Sequence, residues 1–365
     1  MRRGLITLLI IGLVAGVQIA AAQGDFQART NYAVTVFAEP DRESTIVGVL
    51  IPQAKISLEA RSADVAWVLA RSADGTVRGW LEARYLLDVD SNTLVRLGVS
   101  EETMFVLPET NWDFMGIDLM AYPVVPHDLG QAAAIFAAGN SLGQDVHAVS
   151  KVGDCLTDNN YFLYPFGTGA YSLGVYGTLQ GVIDNYAPTL TANSLAAYEG
   201  LLTGTVLDPM FANPQVCNSG ESPLRCEYRV RRASVAVIMF GAQDLLFTSP
   251  TDFDTNLRRI VHESIQAGVV PVLSTFPANL ARWDASVQYN QIVVQVALDY
   301  DVPLINLWRA LDPLPHNGLA DDNRHLSLPE TSAGDLTQPN LQRGYPLRNL
   351  ITLQALDAIW RGAQQ

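Results

Sequence analysis

The sequence predicts two folding units of different class: a small all-β barrel near the N-terminus, then a three-layer α/β domain with a mainly parallel sheet. Two observations carry this. Between residues 26 and 88, short β-type runs follow one another at close spacing, broken by turn residues. From residue 129, helical apolar patterns alternate with continuous apolar runs, of which Ser234-Val235-Ala236-Val237-Ile238-Met239-Phe240 is the clearest. A run without polar alternation suits a strand covered on both faces, as in a parallel sheet.

In chain order, residues 1–22 read as an export signal. Arg2 and Arg3 open it, Leu5 to Val17 form its apolar core, and Ala20-Ala21-Ala22 offers a small-residue cleavage site. The mature protein is therefore expected outside the cytoplasm or in the cell envelope, with an uncleaved membrane anchor as the alternative. The barrel runs, residues 26–88, are Val34 to Phe37, Thr45 to Leu50, Lys55 to Ala60, Ala66 to Ala70 and Gly79-Trp80-Leu81, with turns at Glu39-Pro40-Asp41 and Asp74-Gly75. Trp67 and Trp80 read as barrel core. Residues 89–128 form a polar, Pro-containing connection, too long for a bare linker and expected to pack on one of its neighbours.

The α/β domain spans residues 129–365. Leu129 to Phe136 begins an alanine-rich helix closing near Gly139-Asn140. Val146 to Val152 is a strand. Tyr171 to Tyr186 carries Leu173, Tyr176, Leu179, Val182 and Ile183 at helical spacing. After the Ser234 strand come a helix at Thr255 to Gly268, a strand at Val269 to Leu273, a helix at Val287 to Tyr300 and a strand at Pro303 to Leu307.

Charge and cysteines narrow the function. The chain carries 23 Lys and Arg against 37 Asp and Glu, a net charge of −14. Without the signal the basic count falls to 21 and the net charge to −16. Such a surface argues against nucleic acid or anionic lipid as partner. Three cysteines are an odd number for an exported chain. Cys217 and Cys226 flank a polar loop and can close it as a disulfide, which leaves Cys155 as a free thiol.

Cys155 lies in Val152-Gly153-Asp154-Cys155-Leu156, straight after a predicted strand. Gly241-Ala242-Gln243-Asp244 follows the Ser234 strand, and Asp322-Asn323-Arg324-His325 lies in the loop before the last helix. In open α/β sheets such loops gather at the carboxyl ends of the strands, so distant segments can converge. The ordered set resembles the SGNH, or Gly-Asp-Ser-Leu, hydrolase family of serine esterases and acyl hydrolases. The resemblance implies a flavodoxin-like α/β/α fold and a catalytic set of nucleophile, base and acid. It departs at two positions, with Cys155 for the serine and Gln243 for the oxyanion-hole asparagine. The N-terminal stretch resembles a bacterial SH3-like domain through Ala38-Glu39-Pro40, Ile46-Val47-Gly48, Ala66-Trp67-Val68 and Gly79-Trp80-Leu81 with Tyr85-Leu86. That resemblance implies a module for cell-wall or other extracellular ligands.

By resemblance, Cys155 is the nucleophile, His325 the base and Asp322 its orienting carboxylate. Gln243 still offers an amide donor for the oxyanion, although its extra methylene displaces that donor. Gly200 is one candidate for the backbone donor, with Gly174, Gly177, Gly181 and Gly204 as competitors. The expected function is an exported esterase or acyl hydrolase acting on a small ester or acylated glycan, with no cofactor. The alternative is a degenerate extracellular protein that holds a ligand or cell wall without turnover. A zinc site on Cys155, His325 and Asp322 is a further option, without a second ligand pair to support it. His127, His147 and His262 have no partner in the motif. His316 is read as a surface residue near the Asp322 loop and Asp154 as a brace for the turn; Asp244 is read as structural, with contact to the substrate loop as the lesser option, and Arg324 as a salt-bridged surface arginine, with an anionic substrate group as its alternative partner.

Overall fold

The computed structural model describes residues 26–100, 102 and 116–363. The expected signal at residues 1–22 and most of the middle of the connection lie outside the described residues. The chain divides into two compact units, Met1–Val106 and Leu107–Gln365.

The first unit holds strands β1 (Phe26–Thr30), β2 (Val34–Phe37), β3 (Ile46–Leu50), β4 (Lys55–Arg61), β5 (Trp67–Ser72), β6 (Arg78–Glu82) and β7 (Leu86–Leu87). They form one antiparallel sheet in the order β3-β2-β6-β5-β4-β1-β7. Strand β4 shows why the pattern folds this way: Ile56, Leu58 and Ala60 alternate inward while Lys55, Ser57, Glu59 and Arg61 stay in contact with water. Ile56 and Leu58 join a core with Val36, Val68 and Leu81, and Ala60 joins Leu69 and Trp80. Trp80 is wholly buried and donates its indole N–H to the Glu102 carbonyl at 2.6 Å, whereas half-buried Trp67 packs edge-on against Phe37. A short helix α1 (Ser91–Arg96) follows, capped by the Asp90 side chain, which accepts from Thr93 N–H at 2.8 Å.

The second unit begins its regular structure with α2 (Ala132–Leu142), β8 (Asp145–Gly153), α3 (Tyr164–Thr168), α4 (Gln180–Leu190), α5 (Pro223–Arg231) and β9 (Ala233–Met239). It continues with α6 (Asp244–Phe247), α7 (Pro250–Gln266), β10 (Val270–Ser274), α8 (Trp283–Asp299), β11 (Leu304–Ile305), α9 (Leu307–Leu311) and α10 (Gly344–Gly362). The four strands are parallel in the order β11-β10-β9-β8. Every residue of β9 and β10 is buried, as sequences that are apolar but for Ser234 and Ser274 require. One helical layer groups α2, α4 and α10; the other groups α5, α7 and α8, where Tyr228 Oη meets Ser264 Oγ at 2.7 Å. No helix among the described residues is long and apolar enough to cross a membrane.

An isolated parallel bridge between Gly153 and Ala197 leaves the trace of another strand outside β8. Counting it, the chain steps from β8 to one side, then returns to build β9, β10 and β11 on the other. The reversal lies at the carboxyl end of β8, the place where open α/β sheets form ligand crevices. Cys155 is two residues past that strand end.

Several element boundaries differ from the sequence expectation for physical reasons. The helix expected at 171–186 is a 3-10 turn over Gly174–Leu179 followed by α4, because two glycines in its first turn disfavour α geometry. Helix α2 runs through Gly139 to a left-handed cap at Gly143. Gly139 is tolerated there because its missing side chain lets the Gly268 backbone approach; a Cβ would lie 2.0 Å from Gly268 O. Helix α7 starts at Pro250, where Ser249 caps Asp252 N–H at 3.1 Å. Residues 116–128 pack on the second unit: Leu119 is buried against Trp308 and Val294, and Asn306 Nδ2 donates to Leu119 O at 2.7 Å.

Cys217 and Cys226 are disulfide-bonded, and Cys155 is free. The bond ties the loop before α5 to the helix that leads into β9. Cys217→Ser is expected to cost about 2–3 kcal/mol of stability for a loop of this length, measured by urea denaturation. Unfolding the unreduced protein should expose one titratable thiol; two or more would contradict the pairing.

Candidate active site

The turn after β8 is wound around a buried carboxylate. Asp154 accepts from Leu156 N–H at 3.0 Å through its side chain, and its carbonyl accepts from Thr157 and Asp158 N–H, both at 2.9 Å. Its second carboxylate oxygen is buried without a hydrogen-bond partner. Burial pushes this carboxyl up to about 6, against the opposing pull of Leu156 N–H and the Arg348 charge. Arg348, from α10, is itself fully buried and donates to Leu156 O at 2.6 Å and Thr157 Oγ1 at 3.1 Å. Its guanidinium lies over the Phe162 ring, 3.7 Å from the centroid. Asn159 Nδ2 completes the brace, reaching Cys155 O at 3.0 Å, Leu156 O at 2.7 Å and Tyr345 Oη at 2.9 Å.

The half-exposed Cys155 Sγ lies 3.4 Å from His325 Nε2. His325 Nδ1 meets Asp322 Oδ2 at 2.5 Å, and Asp322 Oδ1 accepts from the N–H groups of Arg324 and His325 at 3.0 and 2.9 Å. Burial raises the Asp322 carboxyl, but the hydrogen bonds from the His325 ring and the two backbone N–H groups outweigh it and hold it at about 2. A carboxylate so held accepts from Nδ1 and leaves Nε2 to face the sulfur. The loop is closed by Ala320 N–H donating to His325 O at 2.8 Å and by the Leu319–Leu326 antiparallel bridge.

Burial pushes the Cys155 thiol above its usual range, and the neighbouring Asp154 charge adds to this. A hydrogen bond with the Gln243 side chain and the Arg324 charge pull the other way without prevailing. The resting sulfur is thus held as a thiol, unlike nucleophiles that sit as thiolates. Gln243 stands just before α6, on a turn made possible by Gly241: φ there is +121°, and a Cβ would lie 2.1 Å from the Phe276 ring. Asp244 is buried behind it and accepts from Thr203 N–H at 3.0 Å and Thr203 Oγ1 at 2.6 Å. This ties the 197–207 loop to the Gln243 turn.

Gly200 lies in that loop, at φ +81° with open space where a Cβ would point. Its neighbour Glu199 is close enough for its charge to raise the Cys155 thiol, and Ala197 pairs with Gly153. Gly174, Gly181 and Gly204 face Thr337, Trp360 and Asn256 instead.

The structure therefore brings Cys155, His325, Asp322 and Gln243 together, with the Gly200 loop alongside. Cys155, His325 and Asp322 form a linear relay in which each imidazole nitrogen already faces one neighbour, a poor arrangement for converging on one ion. Among the described residues, the metal-capable cluster is Cys217, Glu221 and Cys226, whose two sulfurs are bonded to each other. Arg324 makes no ion pair among the described residues, so the expected surface salt bridge is corrected: its charge acts on the thiol. His316 braces the loop that carries Asp322 and His325, its Nε2 meeting Asn323 Oδ1 at 2.8 Å, and His147 Nδ1 meets Asn185 Oδ1 at 2.7 Å. Sequence reasoning missed Asn159, Tyr345 and Arg348. The one signal for them is Arg348 itself, a charge set within the apolar run of α10.

No family model and no curated protein sequence matches the chain. Among solved structures, it is similar over 58% of its length to a lipase/acylhydrolase from Enterococcus faecalis (19% identity, 95% of that chain, TM-score 0.38). It is likewise similar, over 58% of its length, to the psychrotrophic esterase EstA from Pseudoalteromonas sp. (16% identity, 97% of that chain, TM-score 0.38). A third is the acetylxylan esterase Axe2 from Geobacillus stearothermophilus (18% identity, 58% of this chain and 95% of that chain, TM-score 0.38). With TM-scores this low, the α/β assignment stands on the strand order and the reversal at β8.

Proposed function

We propose that the protein is an ester hydrolase of the acyl-transfer type, with Cys155 as nucleophile, His325 as general base and Asp322 as its orienting acid. The observation that carries this is the relay itself, 3.4 Å from Sγ to Nε2 and 2.5 Å from Nδ1 to the carboxylate, at the sheet reversal. Because the thiol rests protonated, attack is coupled to proton transfer: the S–H proton passes to Nε2 as the S–C bond forms. The carbonyl oxygen becomes an oxyanion facing the Gln243 amide and the backbone N–H of Cys155, with Gly200 N–H as the third donor. His325 returns the proton to the departing alcohol as the C–O bond breaks, leaving a thioester. Water then attacks that thioester, giving its proton to His325, and the acid leaves as the thiol is restored.

The small β unit is proposed to be an SH3-like module holding a cell-wall or matrix ligand, without a catalytic group. Export is supported by the disulfide, which persists in oxidising compartments.

The test is hydrolysis of 4-nitrophenyl acetate by the purified full chain, with and without iodoacetamide. Turnover blocked by alkylation at Cys155 is the expected result. Since the thiol titrates above its ordinary range, alkylation near neutral pH should be slower than for free cysteine and should accelerate as pH rises. No turnover at any pH would leave the ligand-holding alternative in its place.

A further inference from the structure

We infer that a cavity at the amino edge of the parallel sheet, the edge opposite Cys155, binds a small organic ammonium ion with an apolar body of about six carbons. This site is separate from the esterase reading and does not depend on it.

The connecting segment makes this cavity. Its chain is anchored where Asn306 Nδ2 donates to Tyr122 O at 3.2 Å and Asn306 N–H donates to Val124 O at 3.0 Å. Beyond that anchor, the segment, the last turn of α8 and the start of β11 leave a cavity of about 170 Å³ between them. Buried Pro126, Ala297 and Val302, with half-buried Tyr122 and Leu304, give it apolar walls. An apolar cavity of about 150 Å³ holds a benzene-sized guest, so the space suits roughly six carbon atoms. Strand β11 begins at Leu304, whereas Cys155 follows the carboxyl end of β8 in the same parallel sheet. The two places therefore lie on opposite edges.

The exposed part of the lining is negative. Asp128 and Asp301 both belong to it, and both border Gly130. Asp128 Oδ1 accepts from Gly130 N–H at 3.0 Å. Gly130 has φ +50°, and Asp301 Oδ1 lies 2.6 Å from where its Cβ would stand, so only a bare Cα lets that carboxylate approach. The Asp301 carbonyl accepts from Gln131 N–H at 2.9 Å, so the backbone, not a counter-ion, holds the two acids near each other. Among the described residues neither acid makes an ion pair, and no lysine or arginine lines the cavity. Helix α8 also ends here, at Asp299, and the carboxyl end of a helix carries partial negative charge. Like charges held together without a partner repel, and a bound cation relieves that repulsion. An ammonium group beside the two acids, with its hydrocarbon body on the apolar walls, satisfies both features of the cavity. A neutral guest would leave the acids unpaired, and a bare inorganic cation would leave the walls uncovered.

The test is isothermal titration calorimetry of the full chain with benzylammonium chloride at low ionic strength. Saturable binding of one ion per chain is expected. Benzyl alcohol, which lacks the charge, and methylammonium, which lacks the body, should each bind at least about tenfold more weakly. The double variant Asp128→Asn with Asp301→Asn should weaken benzylammonium by at least about tenfold. Both positions are exposed, and asparagine keeps an acceptor for Gly130 N–H and tolerates the φ of +48° at Asp301, so the fold is not at stake. Glu43→Gln with Asp284→Asn removes the same charge from exposed positions elsewhere and should leave the affinity within about twofold. Alkylating Cys155 with iodoacetamide should leave binding intact, whether or not the protein hydrolyses esters. No saturable binding, equal affinity for the alcohol or for methylammonium, or an equal loss in the two double variants overturns the inference. Loss of binding on alkylation would place the ion in the catalytic crevice and overturn it too.

Discussion

Cys155→Ala is expected to reduce ester turnover by about 10⁴-fold or more, since removing the nucleophile of a relay costs nearly as much as removing the relay. The fold should survive, because the half-exposed sulfur makes no bond that holds the turn; Asp154, Asn159 and Arg348 do that work through backbone atoms. Cys155→Ser separates two kinds of site. A pocket tuned to thiolate chemistry would hold the sulfur ionised at rest, and serine would then be as inert as alanine. Here burial and the Asp154 charge keep the thiol protonated, so His325 must take the proton during attack, as it would from a hydroxyl. Cys155→Ser is therefore expected to stay within about tenfold of the unmodified rate, measured as kcat/KM on 4-nitrophenyl acetate. A loss as deep as that of alanine would mean that the pocket fits sulfur alone. Inactivity of the unmodified protein and both variants would return the site to the ligand-holding alternative.

The parallel sheet was legible because a strand buried on both faces leaves no room for polar residues, and Ser234 to Phe240 has almost none. The candidate site was legible because Cys155 and Gln243 each follow a strand end within a turn, while Asp322 and His325 share one loop before the last helix. What stayed hidden was support. The hydrogen bonds from Asn159 to Tyr345 Oη and from Arg348 to Leu156 O join segments nearly two hundred residues apart, and no local pattern encodes such a pairing. The 3-10 start of α4 was hidden for the opposite reason: its apolar spacing fits a helix, and only its two glycines argue otherwise. Strand β11 shrank to two residues because Asn306 turns from the sheet to cap α9, accepting from Arg309 N–H at 3.1 Å.

Arg348→Met should be the most damaging single change in the second unit, costing about 3–5 kcal/mol in urea denaturation. The substitution keeps most of the volume over Phe162 but removes the donors to Leu156 O and Thr157 Oγ1 and leaves Asp154 without its nearest buried positive charge. The pH dependence identifies which of these losses dominates. Asp154 titrates at about 6 in the folded protein, above its ordinary 3.8. Between about pH 4 and 6 the folded state therefore holds a proton that the unfolded chain has released. Stability contributed by that proton is full below pH 4 and is lost as pH rises through 6, a change of about 3 kcal/mol for a shift of roughly two units. Without Arg348 the carboxyl moves higher still, because the guanidinium had been lowering it. The deficit of the variant should then be smaller at pH 5, where Asp154 is protonated, and larger at pH 8, where a bare carboxylate is buried. Turnover should fall with it at high pH, since the Gly153-Asp154-Cys155 turn is what aims the sulfur at His325. A deficit equal at the two pH values would assign the whole effect to the lost hydrogen bonds and remove the charge of Arg348 from the account of Asp154.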